Sequence, residues 1–221
     1  MCFPGAAIVS DIAVIMQRAR LIPVLTIEDA ARAAPLARAL VAGGVRMLEV
    51  TLRTKAGAEA ARAIAAEVPD AIVGFGTVLT GADLDLAERL GMRFAFSPGA
   101  SPALLDAARG RALPFVPGIQ TASEYMAALE RGFSVVKFFP AEPAGGIAAL
   151  KALAGPFPQA RFCPTGGIAE GRVQAWLDLP NVVGVGGSWL ASAAEIRGGD
   201  WAGITERASR AMARLQQGAA A

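Results

Sequence analysis

Lys137 is the residue whose position most clearly suggests chemistry. It interrupts the apolar run Val135 to Phe139, which is otherwise typical of a buried strand. Lysine is seldom buried without a partner, because its charge is costly to remove from water. One interpretation is a structural lysine paired with a carboxylate. The other is an amine, kept neutral by partial desolvation, that forms an imine with a carbonyl substrate.

Glu49 is a second charged residue within an apolar run, Met47 to Val50. The two-residue period of a strand places Glu49 and Arg53 on one side, and the same period places Lys137 beside Phe139 on another strand. Glu49 either neutralises a buried cation or transfers protons. Arg53 has the geometry to hold a substrate carboxylate with two hydrogen bonds, although an isolated loop arginine is often simply solvated.

Two glycine-rich turns, Pro164 to Gly167 and Gly186 to Ser188, follow the last two apolar runs of the chain. In parallel barrels the loops at these positions often bind phosphate, because backbone N–H groups converge there on the anion. A single turn of this kind is usually a tight bend, whereas two of them with adjacent hydroxyls indicate a phosphate site. The predicted phosphate-binding residues are Gly166, Gly167, Gly186, Gly187 and Ser188.

Short apolar runs rich in Val, Ile and Phe predict eight strands, and Ala-, Leu- and Arg-rich segments with helical spacing lie between them. The predicted strands are Leu21 to Leu25, Arg46 to Val50, Ile72 to Gly76, Phe94 to Ser97, Pro114 to Val116, Val135 to Phe138, Arg161 to Cys163 and Val182 to Val185. The clearest predicted helices are Glu28 to Ala42, Ala58 to Glu67, Ala82 to Leu90 and Ser123 to Glu130.

This alternation of strand and helix predicts an α/β fold, a single (β/α)8 TIM barrel that forms one domain over residues 1–221. An additional helix, from about Ala6 to Ala19, precedes the first strand and could cover the bottom of the barrel. An open doubly wound sheet is the alternative. No G-x-G-x-x-G motif follows the first strand, so a dinucleotide-binding fold is disfavoured.

Composition excludes several classes of function. Hydrophobic residues make up 54% of the chain and charged residues 18%, which excludes disorder. The charged residues, with a net charge of +2, are scattered along the chain and indicate no nucleic-acid partner. No membrane span or secretory signal is visible in the sequence, so a cytoplasmic location is expected. The absence of histidine excludes Ser-His-Asp and Cys-His catalysis, and with two cysteines it argues against structural zinc.

Seven segments together resemble the bacterial 2-keto-3-deoxy-6-phosphogluconate (KDPG) aldolases, a family that includes enzymes acting on 4-hydroxy-2-oxoglutarate. The segments are ALVAGGVRMLEVTLRT (39–54), AIVGFGTVL (71–79), FAFSPG (94–99), PFVPGIQTASE (114–124), VVKFFPAE (135–142), GPFPQARFCPTGGI (155–168) and VGGSWL (185–190). They run through almost the whole predicted barrel and occur in the expected order.

The resemblance implies that Lys137 is the Schiff-base lysine and that Glu49 is the acid/base. It further implies these substrate-binding residues: Arg53 and Thr77 at the pyruvyl carboxylate, Pro98 and Phe139 along the pocket, and Thr165 in the first glycine-rich turn. The implied reaction cleaves KDPG to pyruvate and glyceraldehyde 3-phosphate, a step of the Entner-Doudoroff pathway, without a metal or organic cofactor. The implied assembly is a homotrimer.

Two features depart from the family. Phe75 stands where a small residue is expected and could reshape the pocket, and the N-terminal segment resembles the family only weakly.

Three other functions are alternatives to imine chemistry. A metal-dependent aldolase would need several inward carboxylates or histidines, and a phosphosugar isomerase or epimerase would need a pair of acid/base groups. A non-catalytic module that binds phosphorylated metabolites would have no use for Lys137 beside Glu49. The sequence does not rank KDPG against 4-hydroxy-2-oxoglutarate, which would give pyruvate and glyoxylate, nor does it determine the preferred stereochemistry at C4.

Overall fold

The computed structural model describes the backbone of residues 6–218 and the side chains of residues 12–217. The strands are β1 (Leu21–Leu25), β2 (Met47–Thr51), β3 (Ile72–Gly76), β4 (Ala95–Phe96), β5 (Phe115–Val116), β6 (Gly118–Ile119), β7 (Val135–Phe138), β8 (Arg161–Pro164) and β9 (Val185–Gly187). The α-helices are α1 (Ala6–Ala19), α2 (Ala33–Ala42), α3 (Gly57–Glu67), α4 (Gly81–Arg89), α5 (Pro102–Ala108), α6 (Ala122–Leu129), α7 (Gly146–Ala154), α8 (Val173–Leu177), α9 (Ala193–Gly198) and α10 (Trp201–Gly218). Short 3-10 turns at Ala30–Arg32 and Glu170–Arg172 precede α2 and α8.

The strands pair in parallel within two sheets. Six strands form a curled half-barrel in the order β5-β4-β3-β2-β1-β9, and three strands form a second sheet in the order β6-β7-β8. Two isolated bridges, Phe162 with Val182 and Thr165 with Gly186, link the β8 region to the β9 region. Because parallel strands place their carboxyl ends at one edge, the residues that follow β1, β2, β7, β8 and β9 come together there.

Hydrophobic side chains form two layers, one on each side of the strands. The inner cluster contains Met16 of α1 together with Met47, Phe94 and Val135 from the strands. The outer cluster lies between the strands and the helices, and residues such as Val50 and Phe75 belong to it. This division follows from the two-residue period of strands buried on both faces.

Most of the predicted elements are confirmed, with shifts of one or two residues at their ends. The last strand is an exception, because its ladder begins only at Val185, where it pairs with Leu21 of β1. The prediction that Gly186 and Gly187 follow the strand is therefore wrong; both lie within β9. The segment Gly118–Ile119 was not predicted as a strand, because the preceding proline and the glycine indicate a turn, yet it pairs with Lys137 and its neighbour in β7.

The predicted helix over Glu28 to Ala42 is shorter than expected. A 3-10 turn occupies its first part, because the Asp29 carboxylate accepts a hydrogen bond from the Ala31 N–H at 3.0 Å and caps that turn. Within the described residues, no helix is both long and apolar enough to cross a membrane.

Candidate active site

Lys137 and Glu49 form a buried ion pair, although they are 88 residues apart in the sequence. Lys137 Nζ donates to Glu49 Oε1 at 2.8 Å, and the two side chains are 4% and 1% exposed. Glu49 Oε2 is also buried and accepts no hydrogen bond from the described residues. A buried pair of this kind is expensive in desolvation and is weak evidence for stability. An oxygen with an open lone pair beside an amine is, however, suited to proton transfer.

Aromatic and sulfur-containing side chains surround the Lys137 amine. Its Nζ lies 5.5 Å from the centroid of the Phe96 ring and 5.4 Å from that of Phe139. Cys163 lies opposite Lys137 in the β7–β8 register and is fully buried. Burial raises the pKa of the Cys163 thiol to about 12, so this thiol is neutral near pH 7. The amine is therefore held in a largely apolar environment with one carboxylate.

Gly76 provides the space that the Glu49 carboxylate occupies. A Cβ at residue 76 would clash with the Oε1, Cδ and Cγ atoms of Glu49, so no larger residue fits without displacing the carboxylate. A glycine inside a strand often marks such a close approach. The position of Glu49 next to Lys137 thus depends on a residue of the neighbouring strand β3.

We expect Gly76→Ala to move the Glu49 carboxylate away from Lys137. If this pair catalyses the aldol cleavage that the sequence resemblance implies, the kcat of that reaction should fall by roughly 10-fold, because small displacements of catalytic groups lower the rate strongly. Steady-state kinetics would measure the effect. Gly171→Ala is the matched control, since a Cβ there meets nothing within 4 Å and the variant should behave as the wild type. Equal kcat values for the two variants would contradict the assigned role of Gly76.

A cavity of about 310 Å³ opens beside this pair, at the carboxyl ends of the strands. Phe139 lies between the ion pair and the cavity, because its ring is near the Lys137 amine and also lines the cavity. Both glycine-rich turns contribute to its wall. The lining residues are Val24, Arg53, Phe139, Thr165, Gly166, Gly167, Ile168, Ala169, Gly186, Gly187 and Ser188.

The backbone of the glycine-rich turns has two features that are typical of anion sites. Gly166 and Gly167 have φ angles of 104° and 78°, which glycine adopts at little cost. The backbone N–H groups of Gly167 and Ser188 donate to no acceptor in the part of the chain that the structure describes. Unpaired N–H groups in a concave wall are typical anion-binding groups. The side chain of Ser188 is exposed and adds a hydroxyl.

The predicted residues for the substrate carboxylate are divided between two places. Arg53 lines the cavity and forms no ion pair with the described residues. Thr77 and Pro98 do not line it; they follow β3 and β4. Thr77 has φ of 59°, a conformation that is strained for a β-branched residue and that is concentrated at functional sites.

Phe75, which the sequence analysis considered as a residue that could reshape the pocket, does not line the cavity. Phe75 pairs with Val50 in the β2–β3 register and belongs to the outer hydrophobic cluster, fully buried. Since neighbouring residues of a strand point to opposite faces, Gly74 and Gly76 face the interior while Phe75 packs beneath the helices. The large side chain therefore fills the outer layer and not the cavity.

Sequence reasoning missed several residues of this site. Val24, Ile168 and Ala169 line the cavity, and none of them carries a chemical signal in the sequence. Gly76 did carry a signal in the sequence, because an isolated glycine within a strand pattern indicates a close backbone approach. Across residues 12–217, no group of three His, Cys, Asp or Glu side chains lies close enough together to hold a metal ion.

Comparison with known proteins places the chain in a family. Residues 12–207 match the family model described as KDPG and KHG aldolase. A Pseudoalteromonas atlantica protein named 2-dehydro-3-deoxy-phosphogluconate aldolase is 50% identical over 192 residues, which cover 87% of this chain and 89% of that protein. The chain therefore belongs to the KDPG and KHG aldolase family.

Two solved structures agree with this assignment. One is a KDPG aldolase from Legionella pneumophila with pyruvate captured as a covalent carbinolamine; it is 42% identical with a TM-score of 0.87, over 90% of this chain and 97% of that one. The other is the aldolase of Zymomonas mobilis with 3-phosphoglycerate; it is 45% identical with a TM-score of 0.88, over 92% and 95% of the two chains.

Proposed function

We propose that this chain is a Schiff-base aldolase that cleaves KDPG to pyruvate and glyceraldehyde 3-phosphate, a lyase reaction of the Entner-Doudoroff pathway. The observation that carries the proposal is the buried Lys137–Glu49 pair beside a glycine-lined cavity. Relatives with the same fold are named for this reaction, and one of them holds pyruvate covalently. Conversion of KDPG to pyruvate by the purified protein tests the proposal directly.

The first half of the reaction makes the substrate an electron acceptor. The neutral Lys137 amine attacks the C2 carbonyl carbon to give a carbinolamine, and loss of water gives a protonated imine. Glu49 is the nearest base, at 2.8 Å from the amine, and it supplies and removes the protons of these steps. The ion pair must separate for the amine to react, which frees the carboxylate for the next step.

The second half breaks the C3–C4 bond. Glu49, directly or through water, takes the C4 hydroxyl proton, C4 becomes the aldehyde of glyceraldehyde 3-phosphate, and the bond electrons pass into the imine to give an enamine. Protonation at C3 and addition of water to the imine then release pyruvate and restore the Lys137 amine. In this scheme Arg53 and Thr77 hold the pyruvyl carboxylate, and Thr165 contacts the bound substrate. Pro98 lies beside the pyruvyl group, because it is in contact with Gly118, the residue that pairs with Lys137.

In this scheme the two glycine-rich turns bind the substrate phosphate. We expect Ser188→Ala to raise KM for KDPG by roughly 10-fold, because a hydrogen bond to a charged group is lost. Gly187→Val should do the same, since a Cβ there would contact the Trp189 indole at 2.7 Å. Kinetics with KDPG and with unphosphorylated 2-keto-3-deoxygluconate measure the difference. Equal losses with both substrates would mean that the turns are merely structural.

A second candidate substrate is 4-hydroxy-2-oxoglutarate, which the same residues would cleave to pyruvate and glyoxylate. The family model is described as covering KHG aldolase as well, and the unpaired N–H groups of Gly167 and Ser188 would serve the second carboxylate. The ratio of kcat/KM for the two substrates ranks them. A higher value for 4-hydroxy-2-oxoglutarate would make it the principal substrate.

The proposal extends to architecture and assembly. In it the whole chain, residues 1–221, forms one domain, and the strands close into one eight-stranded TIM barrel with α1 across its bottom. Three observations support closure: Pro117 alone separates β5 from β6, isolated bridges link the β8 and β9 regions, and Met16 of α1 is buried in the inner cluster. A cytoplasmic location remains a prediction from the sequence.

The homotrimer implied by the family resemblance is part of the same proposal. Closed symmetric assemblies are the usual state of soluble oligomers. Sedimentation equilibrium at micromolar concentration should give three times the mass of the 221-residue chain. A stable monomer under those conditions would contradict the trimer and would leave the proposed chemistry unaffected.

A further inference from the structure

Glu142 is a carboxylate close to the cavity that the proposed mechanism does not use. It ends the VVKFFPAE segment and lies in the loop between β7 and α7, with a side chain 30% exposed. It is not among the residues that line the cavity. A carboxylate near an anion site is electrostatically unfavourable, so its presence there calls for a specific reason.

The backbone around Glu142 is hydrogen-bonded to the first glycine-rich turn. The Glu142 N–H donates to Gly166 O at 3.0 Å, and the Ala141 N–H donates to Thr165 O at 2.8 Å. These bonds join the segment that follows β7 to the segment that follows β8. The turn at Gly166 and Gly167 is therefore attached to the segment that also carries Lys137.

The side chain of Glu142 also supports the turn from behind. A Cβ at Gly167 would lie 3.0 Å from Glu142 Cβ, so the two residues are in close contact with no space between them. The carboxylate has a buried partner, because Trp176 Nε1 of α8 donates to Glu142 Oε1 at 3.0 Å and Trp176 is fully buried. Arg172 Nε, on a largely exposed side chain, lies 3.9 Å from the same oxygen and partly offsets its charge.

The hydrogen bond from Trp176 fixes the direction of the Glu142 side chain. It is the one hydrogen bond of the Trp176 indole N–H within the described residues, and a buried N–H left without an acceptor costs about 1–3 kcal/mol. The Trp176 ring is itself held by packing, with its centroid 6.5 Å from that of Phe138 in β7. Glu142 thus connects three elements: the β7 end, the glycine-rich turn and α8.

We propose that Glu142 is a positioning residue: its hydrogen bond from Trp176 and its contact with Gly167 hold the Gly166–Gly167 turn in its anion-binding shape, and so set the preference for a phosphorylated substrate. This inference rests on the proposed aldolase function. It requires an acceptor oxygen at residue 142 and does not require the negative charge. The amide of glutamine should therefore replace the carboxylate.

The test compares kcat and KM for KDPG and for 2-keto-3-deoxygluconate in four variants. The preference for a phosphorylated substrate is the ratio of the kcat/KM for KDPG to the kcat/KM for 2-keto-3-deoxygluconate. For Glu142→Ala we expect this ratio to fall about 10-fold, because KM for KDPG rises. The value of kcat should change by less than about twofold. Glu142→Gln should stay within about twofold of the wild type. Trp176→Phe, which removes the donor, should shift the ratio in the same direction as Glu142→Ala. Glu206→Ala, on an 81% exposed side chain, is the matched control.

The outcomes separate this inference from the proposed function. An unchanged ratio in Glu142→Ala, or equal losses with both substrates, would overturn the positioning role, as would a Glu142→Gln variant as defective as the alanine variant. If Glu142→Ala does not fold, the ratio in Trp176→Phe decides. A wild-type protein that does not cleave KDPG would instead contradict the aldolase itself, and trapping of pyruvate by borohydride in every variant shows that the imine chemistry is intact.

Discussion

Lys137→Ala should lose aldol cleavage and covalent trapping together. Treatment of the wild-type protein with pyruvate and borohydride should reduce the imine and add one pyruvyl group to a single lysine, located by mass spectrometry. Lys137 is the expected site, because Lys55 and Lys151 are exposed and carry no neighbouring carboxylate within the described residues. Full activity in the variant, or trapping confined to Lys55 or Lys151, would exclude the proposed mechanism.

A control is needed because removal of Lys137 leaves Glu49 buried without its cation. Breaking a buried pair by removing one partner costs about 3–5 kcal/mol, so the alanine variant could lose activity by unfolding. The double variant Lys137→Met/Glu49→Gln keeps both side-chain volumes and has no buried charge. We expect urea unfolding to show it at least as stable as the wild type, with no pyruvate adduct. A well-folded double variant that still cleaves KDPG would contradict the role of the pair.

Glu49→Gln should lower kcat by roughly 100-fold or more, because loss of a general acid/base costs about that much. The amide still accepts a hydrogen bond from Lys137, so the site should keep its shape and some trapping of pyruvate should remain. Steady-state kinetics and borohydride trapping on the same preparation measure the two effects. Unchanged kcat would return Glu49 to a purely structural role as the counter-ion of Lys137.

Chelation tests whether the Glu49→Gln variant and the wild type depend on a metal ion. Addition of EDTA should change neither the kcat of cleavage nor the yield of the borohydride adduct, since the proposed steps use Lys137 and Glu49 alone. Loss of activity that is restored by a divalent cation would favour the metal-dependent aldolase.

Local patterns in the sequence were sufficient to predict which residues are chemically unusual and the general order of helices and strands. Lys137 and Glu49 each interrupt an apolar run, and the two-residue period of a strand states which neighbours share their face. The period also indicates that the two side chains point inward, because the runs around them are too apolar to be exposed. Helix and strand signals of this kind are local, so they can be read without the partner strands.

Which of these residues come into contact depends on the packing of the whole chain. The 2.8 Å contact between Lys137 and Glu49 joins positions 88 residues apart, and it depends on the register of strands that are not adjacent in the sequence. Strand register is set by long-range packing, which a local pattern does not contain. The outward direction of Phe75 likewise depends on the pairing of β2 with β3, and so does the identity of Glu49 as the residue that fills the space at Gly76.

The cavity shows most clearly what a local sequence pattern does not contain. The glycine-rich turns were visible in the sequence, but Gly186 and Gly187 lie inside β9, because β9 pairs with β1 at these glycines. Thr77 and Pro98 were grouped with Arg53 by resemblance, yet they follow different strands and lie outside the cavity that Arg53 lines. Residue types are local properties of a sequence, whereas the walls of a pocket are formed by the packing of distant segments. This packing also brings Trp176 to Glu142 and Glu142 to the Gly166–Gly167 turn.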